Sequence, residues 1–80
     1  MLRKFKLKRQ MKQTIREIEE VEAKRSRSQA ALVEAILTHS ARKDEDVDYF
    51  NLYTAKIENL RKKVTLYKRE LAEMTKSDER

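Results

Sequence analysis

The sequence predicts an all-α protein: an antiparallel helical hairpin with coiled-coil-like heptads that self-associates into a four-helix bundle. Three observations carry this. Gly and Pro are both absent from the 80 residues, and these two supply the special dihedrals that sheets and complex loops need. Ala, Glu, Lys, Leu and Arg fill 45 positions, a bias typical of long helices and coiled coils. Apolar residues of the second half then recur every seven positions, which is the repeat of a helix seam.

From the N-terminus, residues 1–10 show no clear period and carry Arg3, Lys4, Lys6, Lys8 and Arg9 without an acid. They are read as a flexible basic arm. The hairpin is expected over 11–76, with a first helix over about 11–38. Its start is either a continuation of the arm or Thr14, where Thr14 and Glu17 have capping-box spacing. Met11, Ile15 and Ile18 begin an apolar stripe that fades around Arg25 and Ser28, then returns at Leu32 and Ile36. Without Gly or Pro at the fade, a continuous helix is preferred over a break.

A turn is expected over about 39–45. Thr38, His39 and Ser40 propagate a helix less well than their neighbours. Asp44, Glu45, Asp46 and Asp48 suit a helix N-terminus, with Asp44 or Asp46 as its cap. The second helix, over about 46–76, is the clearest element. Phe50, Ile57, Val64 and Leu71 form one row, and Tyr53, Leu60, Tyr67 and Met74 form the row three residues on. Residues 77–80 are expected to fray.

Each helix would hold roughly 28–30 residues and span about 40–45 Å. A turn centred near residue 43 sets Ile36 opposite Phe50, Ile18 opposite Tyr67 and Ile15 opposite Leu71. It sets Ile57, Leu60 and Val64 opposite Gln29, Arg25 and Glu22. Glu17, Glu19, Glu20 and Glu22 would face Lys63, Lys68 and Arg69. Lys24, Arg25 and Arg27 would face Arg61, Lys62 and Lys63, forming a basic waist. Two helices alone leave part of each seam wet, so a homodimer is the simplest oligomer.

The function classes narrow accordingly. The net charge of +6 arises wholly from residues 1–12, because the remaining chain carries 14 basic and 14 acidic residues. Clustered cations can neutralise phosphates, which makes Arg3, Lys4, Lys6, Lys8, Arg9, Lys24, Arg25, Arg27, Arg61, Lys62 and Lys63 the candidate nucleic-acid contacts. Phe5 could stack on a base or dip into a membrane interface, although a membrane-surface partner is the weaker expectation. The absence of Cys excludes disulfides and thiolate sites, and a single His39 does not make a metal site. No constellation of nucleophile, base and oxyanion donors is visible, so neither catalysis nor a cofactor is expected. The partner seam is expected at Phe50, Tyr53, Ile57, Leu60, Val64, Tyr67, Leu71 and Met74, with Ile15, Ile18, Leu32 and Ile36. The resulting expectation is a cytoplasmic adaptor that binds itself and a protein partner through helix packing, the alternative being a nucleic-acid-binding accessory protein.

Overall fold

The computed structural model describes residues 2–40 and 44–78, with the side chains of 44, 77 and 78 left aside. Among these described residues there are two helices: α1 over Leu2–Leu37 and α2 over Asp44–Asp78. They pack side by side as a hairpin. At 36 and 35 residues, both exceed the expected length. The rod measures 64 × 16 × 14 Å, and its radius of gyration is 18.3 Å. A compact domain of this length would have about 12 Å.

α1 is longer because the basic segment belongs to it. The residues expected to form a flexible arm are helical from Leu2, and Leu7 among them is buried. Thr14 is not a cap. It lies mid-helix and buried, and its Oγ1 donates to the Gln10 carbonyl at 2.9 Å. That bond satisfies the hydroxyl and permits its burial. The helix continues through Arg25–Ser28 without a break.

α1 ends without glycine. The Ser40 N–H donates to the Ala35 carbonyl at 2.9 Å and the His39 N–H to the Ile36 carbonyl at 3.3 Å. This pair of bonds is a Schellman closure, which requires a left-handed residue between its arms. His39 takes that place with φ 55°. The Thr38 Oγ1 donates to the Glu34 carbonyl at 2.9 Å and meets the Ser40 Oγ at 2.8 Å. The middle of the expected turn, residues 41–43, lies outside the described residues, as do 79 and 80 of the expected frayed tail. Because α2 already starts at Asp44, Asp46 falls inside its first turn, and the residue before the helix is not among those described.

The core places Val21 against Ile57 and Leu60, with Ile18 and Tyr53 packed on that cluster. This corrects the expected alignment. Ile57 meets Val21 rather than the expected Gln29, so α1 sits eight residues, or about two helical turns, from its expected level. Ile57, Leu60 and Val64 do not face Gln29, Arg25 and Glu22. Carried outward along both helices, the register sets Val21 opposite Ile57, Thr14 opposite Val64 and Leu7 opposite Leu71. Ile36 is 62% exposed and Ile15 is 38% exposed. The physical reason is rotation by one position. The buried row of α1 is Leu7, Thr14 and Val21, continued by half-buried Ser28 and Ala35. Met11, Ile18, Arg25 and Leu32 form its half-buried companion row. Small or polar α1 side chains thereby meet bulky α2 ones, and Ile15 and Ile36 move to the rim.

Candidate interaction surface

All eight expected α2 seam residues are buried or half-buried: Ile57, Leu60 and Val64 fully, and Phe50, Tyr53, Tyr67, Leu71 and Met74 partly. They serve the contact with α1. At the weak point of the α1 seam, the Arg25 guanidinium carbon stands 6.0 Å from the Phe50 ring centroid. A cation over an aromatic face is attracted by the ring quadrupole, so Arg25 closes the seam where an apolar residue is missing. Tyr49 stacks on Tyr53 at 6.1 Å between centroids and 15° between planes. The Glu45 carboxylate, one turn before Tyr49, raises the Tyr49 pKa above its ordinary value by charge and by hydrogen bonding.

The expected acid–base facing is also replaced. Arg61 Nη2 donates to Glu22 Oε1 at 3.0 Å on one flank. Lys56 Nζ approaches Glu17 Oε1 to 4.0 Å on the other. The expected basic waist comes apart with the old register: Lys24, Arg25 and Arg27 lie level with residues 51–54, whereas Arg61, Lys62 and Lys63 lie level with 15–17. The two triplets are roughly ten residues apart along the rod, or about 15 Å at the helical rise. Arg3, Lys4, Lys6, Lys8 and Arg9 remain together on the first turns of α1.

Sequence reasoning missed an outer stripe on α1. Positions 5, 8, 12, 15, 19, 22, 26, 29, 33 and 36 advance by alternate steps of three and four, so they share one side of the helix. On this stripe Phe5 is 67% exposed, and Val33 and Ile36 are exposed beside Ile15. Near its start a groove of about 620 Å³ runs over Met11, Ile15 and Leu71, walled by Phe5 and rimmed by Lys8, Arg9 and Lys12. Near its end a hollow of about 400 Å³ is lined by Ala30, Val33 and Leu37 among polar neighbours. The signal was present in the sequence. The expected stripe and the buried one share Met11, Ile18 and Leu32, and they differ in whether Ile15 and Ile36 or Thr14 and Ser28 complete the face.

Among the described residues no group of three or more His, Asp or Glu could hold a metal ion, and no helix is long and apolar enough to cross a membrane. No family model, curated protein or solved structure matches this chain.

Proposed function

We propose that this protein is a small, non-enzymatic, cytoplasmic interaction module that works through coiled-coil helix packing, first with a second copy in a four-helix bundle and through it with a protein partner. The observation that carries the reading is the outer stripe of α1, whose large apolar side chains the hairpin does not cover. The area points the same way. The chain exposes 6895 Å², against about 5,100 Å² for a compact monomer of 9.6 kDa. The excess is larger than the roughly 800 Å² that each partner contributes to a standard interface. Size-exclusion chromatography with light scattering tests this. A mass of two chains with low absorbance at 260 nm supports it, and a single-chain mass at every concentration contradicts it.

A second reading, contact with nucleic-acid phosphates, rests on the basic first turns of α1 and the exposed Phe5 beside them. Deleting residues 1–10 would remove buried Leu7 as well, so substitution of Arg3 and Lys6 by Gln is the cleaner probe. This reading expects co-purifying nucleic acid that is lost on that substitution. Clean protein with no salt-sensitive binding would remove it.

A further inference from the structure

We infer that two copies of this chain pair through α1, antiparallel, about a two-fold axis passing beside Ile15. This deepens the self-association reading and rests on it. The outer stripe reads Lys8, Lys12, Ile15, Glu19, Glu22, two cations and two anions placed almost symmetrically around one apolar residue. An isologous interface requires a surface that complements itself. Turned about Ile15, Lys12 meets Glu19 of the second copy and Lys8 meets Glu22. The Ile15 side chains meet at the axis, beside the apolar floor of the groove. Lys8, Lys12 and Glu19 are exposed, and Glu22, already bonded to Arg61, is half-buried.

α2 gives an independent check. The hairpin register puts Ile15 level with residue 63. The same axis therefore sets Glu58 of one copy opposite Lys68 of the other, and Arg61 opposite Thr65. Glu22 and its partner Arg61 lie on the same flank of the hairpin, and Glu58 and Lys68 share the helix side of Arg61, at steps of three and seven. Their opposite charges had no part in placing the axis, yet they too come out complementary.

A competing register slides the copies until Phe5 meets Ile36. It covers more apolar surface near the turn, but it sets Lys8 against Val33 and Glu19 against Glu22. Like charges facing one another are destabilising, and no Lys–Glu pair on the stripe remains. Charge therefore selects the axis at Ile15. Beyond about residue 28, α1 then runs past its counterpart, and the turn ends with Val33 and Leu37 project at both tips of the dimer.

The chain has no Cys, so a single introduced thiol reports the axis. At a concentration where the wild-type chain is dimeric, oxidised Ile15→Cys is expected to form a covalent dimer, and Val33→Cys is not. Lys12→Glu and Glu19→Lys are each expected to weaken association by about tenfold, since two pairs per dimer change sign. The double variant restores it. Cross-linking at Ile15 with this rescue supports the axis. Cross-linking through Val33→Cys, none through Ile15→Cys, or no rescue overturns it while a wild-type dimer keeps self-association standing. A wild-type monomer overturns both.

Discussion

The two helices have similar length and hydropathy, yet they distribute their apolar residues differently. α2 sets eight apolar residues at consecutive heptad positions of one seam, all at least half-buried, and leaves Tyr49, Leu52 and Leu66 exposed off it. α1 divides its own. Its inner row mixes Leu7 and Val21 with Thr14 and Ser28, while Phe5, Ile15, Val33 and Ile36 lie outside. A helix seam needs size complementarity more than uniform hydrophobicity. Thr14, Arg25 and Ser28 suffice where the opposing side chains are Val64, Tyr53 and Phe50. The large residues Phe5, Val33 and Ile36 of α1 are thereby left exposed outside the hairpin's core.

The largest expected effect falls on the shared core. Ile57 is 1% exposed, so Ile57→Asp buries an unpaired carboxylate and should abolish cooperative unfolding by circular dichroism. Ile57→Ala should lower stability by about 2–5 kcal/mol. Retention of the wild-type melt by Ile57→Asp would remove the inner seam from the account.

Ile15→Ala tests the outer stripe. It should alter hairpin unfolding in dilute solution by less than about 0.5 kcal/mol and weaken association by about tenfold, or about 1.4 kcal/mol. Equal effects of Ile15→Ala and Ile57→Ala on dilute unfolding would erase the distinction between the stripes.

The junction offers a stabilising change. His39 bears the left-handed penalty of a residue with a Cβ, so His39→Gly should raise stability by about 1 kcal/mol. A loss of similar size would mean that the His39 side chain makes a contact worth more than the backbone strain. At the waist, Arg25→Ala should cost about 0.5–1 kcal/mol through the lost contact with Phe50, measured by urea denaturation. The smallest effect is spectroscopic. Glu45→Gln removes the carboxylate beside Tyr49, so that tyrosine should ionise at lower pH in an alkaline absorbance titration.

The same difference between the helices explains what could be read from the sequence. The α2 seam was legible because every position in it is large and apolar, so no other phase fits. The phase of α1 was ambiguous because Met11, Ile18 and Leu32 belong to the expected stripe and to the buried one alike. The choice turned on Thr14 and Ser28 against Ile15 and Ile36, and hydrophobicity alone favours the wrong pair. The back-bond from Thr14 to Gln10, which makes burial tolerable, leaves no mark in composition. Leu7 was hidden among cations for a similar reason, being the one buried residue in a segment whose apolar neighbours point outward. The turn was placed late because α1 closes on His39 where a glycine would have announced the end. The resulting shift of about two helical turns separates the two basic triplets that the expected register brings together.

The most direct test of the division between two stripes is the joint measurement of mass and helicity for Ile15→Asp. Ile15→Asp is expected to keep its far-ultraviolet helical signal and to have the mass of one copy under conditions where the wild-type chain has the mass of two. A fully helical Ile15→Asp protein that retains the two-chain mass would contradict it.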